Sequence, residues 1–100
     1  MRSEIDSEAI EDTKKSISYY EQKAQKGSGF ESDFQASIDR VLENPLRYPI
    51  LDDDKGYRRC LFSGFPYGLF FKIMNDYIYV IVVAHHQRKP RFWVNREPDS

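Results

Sequence analysis

Two adjacent histidines, His85 and His86, follow the most apolar run of the chain and stand next to several basic residues. Histidine titrates near neutral pH, so either ring could donate or accept a proton in catalysis. Successive side chains of a strand point to opposite faces, and we therefore expect at most one of the two in a given site. A metal site is not expected, because zinc needs three or four ligands and the chain has two histidines and one cysteine.

Basic and aromatic residues near these histidines could hold a phosphate group. The planar guanidinium of arginine matches phosphate oxygens, and a tyrosine ring can stack on an exposed base. The candidates are Arg58, Arg59, Tyr67, Lys72, Arg88, Lys89 and Arg91. Arg58 and Arg59 are adjacent in a predicted strand, so only one of them can project onto a given sheet face. We expect Phe92 and Trp93 to pack the C-terminal segment onto the sheet.

Charge is distributed unevenly along a chain whose formal net charge is −1. Residues 1–50 contain seven Lys and Arg against ten Asp and Glu, whereas residues 55–96 contain eight basic residues against the single acid Asp76. This asymmetry is compatible with a local anion-binding face in the second half of the chain. The plainer alternative, that these charges lie on separate solvated faces and cancel, stays open.

Length and composition indicate one domain spanning residues 1–100, with a modest core. No run of about 18 apolar residues occurs, so no membrane span is expected. The charged N-terminus lacks the apolar segment of a signal peptide, and the single cysteine, Cys60, cannot form an intrachain disulfide. Together these features predict a cytoplasmic protein.

Hydrophobic periodicity predicts two helices in the first half of the chain. The first begins at Asp6 or Ser7 and ends near Ala24. The second begins with a capping box at Ser28 and ends before Pro45, a residue that disfavours helix at the position preceding it. The short glycine-containing link between them predicts an antiparallel helical hairpin.

Strands are predicted before and after this hairpin. A weak first strand covers residues 2–5, residues 44–56 form a loop, and stronger strands follow at 57–62, 67–74 and 77–84. The last of these is almost wholly apolar and is therefore expected at the centre of the sheet. The fold class is α+β, with a short N-terminal strand and an antiparallel helical hairpin packed on one face of a small antiparallel sheet. The other face is left for a partner or substrate.

The chain resembles the RelE/ParE toxins of bacterial type II toxin–antitoxin systems, often described as plasmid stabilisation proteins. The resemblance rests on four blocks in series: Ala9 to Ala24, Glu43 to Pro49, Tyr57 to Ile73 and Ile78 to Trp93. It implies the fold given above and a toxin that arrests growth. It also implies a cognate antitoxin whose disordered tail folds on binding. The weak first strand and any exposed sheet edge are the expected docking places for that tail.

The family that the chain resembles has two branches, and each branch implies a different activity. RelE-like members are mRNA interferases that act with the ribosome, where the RNA 2′-hydroxyl attacks the adjacent phosphate. For that reaction the resemblance implies proton transfer by His85 or His86, phosphate contacts from Arg59 or Arg58 and from Arg88, and orientation by Tyr67. Lys72, Lys89 and Arg91 would bind the RNA backbone.

ParE-like members instead inhibit DNA gyrase without chemistry of their own. The resemblance favours a metal-independent endoribonuclease that needs no cofactor, and it predicts that the histidines and arginines converge on one open face. The alternatives are a gyrase inhibitor and an inactive family member that only binds its antitoxin.

Overall fold

The computed structural model describes residues 1–52 and 56–87, and these residues form an α+β fold. The elements follow in the order β1 (Arg2–Ile5), α1 (Ser7–Ala24), α2 (Gly27–Glu43), a 3-10 turn (Pro45–Arg47), β2 (Ile50–Asp52), β3 (Tyr57–Leu61), β4 (Tyr67–Ile73) and β5 (Tyr77–His85). The predicted helical hairpin and the three stronger strands are confirmed. Neither described helix is long and apolar enough to cross a membrane.

The strands form a mixed sheet in the order β1-β5-β4-β3-β2. The pairs from β2 to β5 are antiparallel, whereas β1 runs parallel to β5, with Ile5 opposite Val80. The predicted short first strand and the antiparallel sheet after the hairpin are both confirmed, and the parallel pairing of β1 makes the whole sheet mixed. Tight turns impose antiparallel pairing only on strands that follow one another directly. Since the helical hairpin and three strands separate β1 from β5, no turn dictates their relative direction.

The segment predicted as a loop over residues 44–56 contains regular structure. Pro45–Arg47 form a 3-10 turn, and Ile50–Asp52 form β2 at the sheet edge, with Ile50 opposite Arg58. A three-residue strand after Pro49 is too short to show alternation, which is why the sequence pattern did not reveal it.

The link between the helices differs from the predicted capping box. Asp6 caps α1 as expected, because its carboxylate accepts the Glu8 N–H at 2.9 Å. α2 instead begins at Gly27, before Ser28, and has no side-chain cap from its N-cap residue. The Gly27 N–H is satisfied by the Glu21 carboxylate at 3.2 Å, so a side chain of α1 takes the place of the predicted serine cap.

The core between the helices and the sheet is built from apolar side chains of α2 and of alternate strand positions. Its buried members are Phe30, Ile38, Val41, Cys60, Phe62, Leu69, Phe71, Ile78, Val80 and Val83. Cys60 is buried in this cluster as a free thiol.

The opposite face of the sheet carries a second buried cluster. Tyr57, Ile81, Val82 and Ala84 are each at most 6% exposed, and Phe70 packs beside them. β5 is therefore buried on both faces, as its apolar sequence predicts. The expectation that this face is a free surface was wrong at its centre.

A β-bulge changes the alternation of β5 halfway along the strand. Phe71 lies opposite Val80 and Phe70 lies opposite Val82, which leaves Ile81 as the extra residue. Before the bulge, even-numbered residues such as Val80 face the helices. After it, odd-numbered residues do so, and His85 ends the strand on the helix side.

A hydrogen bond joins the start of α1 to the sheet. The Tyr79 hydroxyl donates to the Asp6 carboxylate at 2.5 Å, and the Asp6 N–H donates to the Val80 carbonyl at 2.9 Å. Burial, this hydrogen bond and the Asp6 charge raise the pKa of the Tyr79 phenol well above its ordinary value. The folded state thus holds the phenol proton more tightly than the unfolded state.

Replacing Tyr79 with phenylalanine should lower the free energy of unfolding by about 1–3 kcal/mol at neutral pH, because a hydrogen bond to a charged group is lost. The raised pKa means that this contribution is complete below about pH 10 and is lost as the pH rises further. Urea unfolding at neutral pH and again above about pH 10 measures this contribution. The difference in the free energy of unfolding between wild type and variant should be smaller at the higher pH. A difference independent of pH would contradict this role.

The hairpin link supports a pair of opposite predictions. Gln25 has a left-handed backbone with φ of 54°, so Gln25→Gly should stabilise the protein by about 0.5–1 kcal/mol. A Cβ at Gly27 would lie 2.9 Å from the Ile17 carbonyl oxygen, so Gly27→Ala should destabilise by about 1–3 kcal/mol. Thermal unfolding of both variants measures the two effects, and a shift of the same sign in both would refute the account.

Candidate functional site

The two histidines and Tyr67 lie together at one end of the sheet, where β5 ends beside the start of β4. Tyr67 is the register partner of His85, and their rings meet edge to face with centroids 5.3 Å apart. The centroids of the His85 and His86 rings are 6.3 Å apart. His85 is half-buried on the helix side, whereas His86 is exposed in the turn after the strand. The adjacent histidines thus approach one another more closely than strand alternation predicts, because His86 has left the strand.

Each imidazole uses one nitrogen in a local hydrogen bond, and this fixes where its proton lies. The Gln87 N–H donates to His85 Nδ1 at 3.1 Å, so a neutral His85 carries its proton on Nε2. His86 Nε2 lies 3.0 Å from the Tyr67 carbonyl oxygen, which can only accept, so this nitrogen carries a proton. Neutral rings therefore offer a donor at His85 Nε2 and an acceptor at His86 Nδ1. Such a pair could serve as general acid and general base.

The turn between β3 and β4 is held in place by α2. The Asp33 carboxylate accepts the N–H groups of Ser63 and Gly64 at 3.0 and 2.7 Å. The Pro66 carbonyl in the same connection accepts the His86 N–H at 2.9 Å. Sequence reasoning missed Asp33, because no local pattern connects a mid-helix aspartate with a turn some 30 residues later.

Tyr67 belongs to the aromatic packing under this turn. It also belongs to the rim, by which we mean the end of the sheet that carries His85 and His86. Its ring lies 4.9 Å from that of Phe30 and 6.0 Å from that of Tyr20, measured between centroids. Burial, and secondarily the neighbouring Tyr67 hydroxyl, raise the pKa of Tyr20. The position of Tyr67 is therefore set by the core.

The predicted phosphate-binding cations are distributed over both faces of the sheet. Arg58 lies on the helix side, where its guanidinium donates to the Tyr48 carbonyl at 2.5 Å. Arg59 is exposed on the opposite face. Lys72 lies on that same face, with its ammonium 5.6 Å from the centre of the Tyr57 ring. The prediction that only one of the two arginines reaches the face away from the helices is confirmed, and the arginine that does so is Arg59.

The structure thus brings together Tyr67, His85 and His86 but not Arg58, Arg59 or Lys72. The remaining predicted residues, Arg88, Lys89 and Arg91, and the predicted clasp of Phe92 and Trp93, lie outside the described residues. Within residues 1–52 and 56–87, no group of three or more His, Cys, Asp or Glu side chains could hold a metal ion.

A groove of about 440 Å³ runs between the two helices on the outside of the hairpin. Its lining consists of Ile10, Thr13, Lys14, Ile17, Glu31, Ser32, Phe34 and Gln35. Ile10 is 40% exposed, although its side chain is large and apolar. The helical stripe that contains Ile10 and Ile17 was visible in the sequence, but the packing of the second helix that makes it a groove was not.

Comparisons with known proteins agree on the family and the fold. The family model described as the ParE toxin of the type II toxin–antitoxin system, parDE, matches residues 4–90. A chain of the chromosomal ParDE TA system from P. aeruginosa has a similar fold, with a TM-score of 0.75 at 12% sequence identity. That alignment covers 85% of this chain and 95% of the other. No curated protein matches the chain. Since the family model spans all but the first three and last ten residues, the chain belongs to the family of ParE toxins of type II toxin–antitoxin systems.

Proposed function

We propose that this ParE-family toxin is neutralised by a cognate antitoxin and arrests growth by binding DNA gyrase, without cutting RNA. The observation that carries the proposal concerns residues 1–52 and 56–87, in which the predicted arginines Arg58 and Arg59 are separated from the two histidines. Cleavage by a 2′-hydroxyl requires cations on the same phosphate that the proton-transfer groups serve. Arg59 and Lys72 lie across the sheet from His85, and Arg58 is bonded to the Tyr48 carbonyl.

A toxin that acts by binding needs an accessible surface of suitable chemistry. The groove of the helical hairpin has an apolar floor formed by Ile10, Ile17 and Phe34. Lys14 and Glu31 stand on its opposite walls and would orient a polar partner surface. Partly exposed apolar grooves with a charged rim are typical of protein–protein contacts. We therefore assign the gyrase contact to this groove.

A growth experiment separates the groove from the histidines. Cells expressing the His85→Ala/His86→Ala double variant should stop growing as wild-type cells do, with total mRNA intact. Ile10→Glu should abolish the arrest, because a carboxylate in the groove cannot be buried without a partner. Tyr19→Glu is the matched control, since Tyr19 is 54% exposed on the same helix outside the groove lining, and this variant should still arrest growth. Circular dichroism of the purified variants should show that all of them fold, which excludes loss of structure as the cause of any loss of arrest.

The purified protein should inhibit DNA supercoiling by gyrase in a dose-dependent manner. The double histidine variant should have the same half-inhibitory concentration within about twofold, whereas Ile10→Glu should require at least about tenfold more protein, given that an apolar anchor is lost. Unchanged supercoiling at all concentrations of the wild type would exclude gyrase as the target. No growth arrest by the wild type would instead indicate an inactive, antitoxin-binding member of the family.

The second candidate remains ribosome-associated mRNA cleavage, and one observation favours it. His85 and His86 offer a donor and an acceptor side by side at the rim, next to Tyr67. With the basic residues Arg88, Lys89 and Arg91, which lie outside the described residues, they would form a metal-independent nuclease site. If mRNA is lost in cells that express the wild type and stays intact in cells that express the double histidine variant, this alternative would replace gyrase inhibition.

A further inference from the structure

The second buried cluster lies on the sheet face turned away from the helices. Ile81 and Val82 are 0% exposed there, and Tyr57 is 2% exposed. Both helices pack on the other face of the sheet, and the 3-10 turn lies against α2. Among the elements within residues 1–52 and 56–87, none therefore forms a layer over this cluster. Side chains excluded from water at a sheet face require a covering layer of apolar groups.

The two segments outside the described residues differ in their ability to supply that layer. Residues 53–55 are two aspartates and a lysine, so they have no apolar side chain for the purpose. Residues 88–100 follow the turn after β5 and contain the apolar run Phe92–Val94. Large aromatic side chains bury more apolar area than any others, and aromatic rings pack well on the Phe70 and Tyr57 rings of a sheet face. The C-terminal segment thus has the chemistry that the face requires.

The C-terminal segment is also long enough to reach the cluster. Val82 lies three residues before the end of β5 at His85, and Phe70 lies opposite Val82. Residues of a strand are about 3.3 Å apart, so this pair lies about 10 Å from the end of the strand. An extended chain from Gln87 to Phe92 spans up to about 16 Å. The apolar run therefore reaches the pair without any change in the sheet.

We propose that residues 91–94 form a strap that closes the second face of the sheet. Phe92 and Trp93 are its anchors, and they pack on Phe70 and Val82. The family model matches residues 4–90, so both anchors lie outside the family pattern. The strap is thus an addition of this chain to the fold that it shares with its relatives.

The strap restricts which ligands can use this face. Arg59 is exposed on the same face, and the Lys72 ammonium lies 5.6 Å from the centre of the Tyr57 ring. An RNA strand that contacts these cations could not also stack its bases on the face unless the strap were displaced. This restriction agrees with a toxin that does not cut RNA, but the strap and its tests do not depend on the toxin's target.

Fluorescence of the full chain tests the strap directly, because Trp93 is the only tryptophan in the sequence. In the folded protein, Trp93 should emit at a shorter wavelength than in urea. Acrylamide should quench its emission at least about threefold less than in urea, because a packed indole is shielded from water. Emission and quenching equal to those of the unfolded chain would overturn the proposal.

Two variants of the same sheet face form a matched pair. Phe70→Ala removes the proposed partner of the anchors and should increase the quenching of Trp93 at least about twofold, because a cavity loosens the packing. Leu61→Ala is the control, since Leu61 is 47% exposed and therefore lies outside the covered area. Its quenching should equal that of the wild type. Equal quenching of Trp93 in the two variants would contradict the strap.

A variant of the strap itself leaves the sheet unchanged. Trp93→Ser should increase the binding of the apolar dye ANS at least about threefold and lower the Tm by at least about 4 °C, because the second cluster loses its cover. Tyr19→Ser is the control, since Tyr19 is an aromatic residue 54% exposed on α1, and it should change neither quantity. Unchanged dye binding and Tm in Trp93→Ser would refute the strap even if Phe70→Ala fails to fold.

Dilution distinguishes the other possible covers of this face. Quenching of Trp93 that stays constant over about a hundredfold range of protein concentration supports a strap within one chain. Quenching that rises on dilution, with dissociation of a dimer in sedimentation, would assign the cover to a second copy and overturn the proposal. Strong dye binding by a wild type whose Trp93 is shielded would place the tryptophan elsewhere, which would also overturn it.

Discussion

The ring of Phe30 is completely buried where the helical hairpin meets the sheet. It lies between 4.9 and 5.5 Å from the rings of Tyr20, Phe62, Phe65 and Tyr67, measured between centroids. These rings come from α1, from the residue that follows β3, from the turn after it and from β4. Aromatic packing of this kind combines a large buried area with preferred ring geometries. The relative position of the helical and sheet layers therefore depends on this one side chain more than on any polar contact between them.

The rim that carries the histidines is an extension of the same packing. Tyr67 touches Phe30 on one side and His85 on the other, and the turn before it is bonded to Asp33 of α2. Ring contacts and hydrogen bonds thus connect α2 to the end of the sheet that carries the imidazoles. The groove between the helices differs from this packing, because its lining includes exposed side chains such as that of Ile10.

Much of the fold could be predicted from the sequence, and particular residues show where the prediction failed. The apolar run from Tyr77 to Ala84 and the helical stripes were strong enough to fix β5 and the hairpin. β2 was missed because three residues cannot display a period, and Ser28 was misassigned because Glu21, a residue of the other helix, caps Gly27 instead. Alternation separated Arg58 from Arg59 correctly but could not show that Arg58 would be bonded to the Tyr48 carbonyl. The last two cases were decided by contacts between different elements, which a local sequence pattern does not show.

The bulge at Ile81 has a consequence for comparing this chain with its relatives. One additional residue in β5 exchanges the faces of all the strand positions after it, so that the His85 ring lies on the helix side and packs against the Tyr67 ring. In a related chain that lacks the bulge, a histidine at the position aligned with His85 would lie on the opposite face of the sheet. Equivalent columns of a sequence alignment can therefore hold residues that are not equivalent in space. Roles at this rim should be transferred between family members by superposition of their sheets.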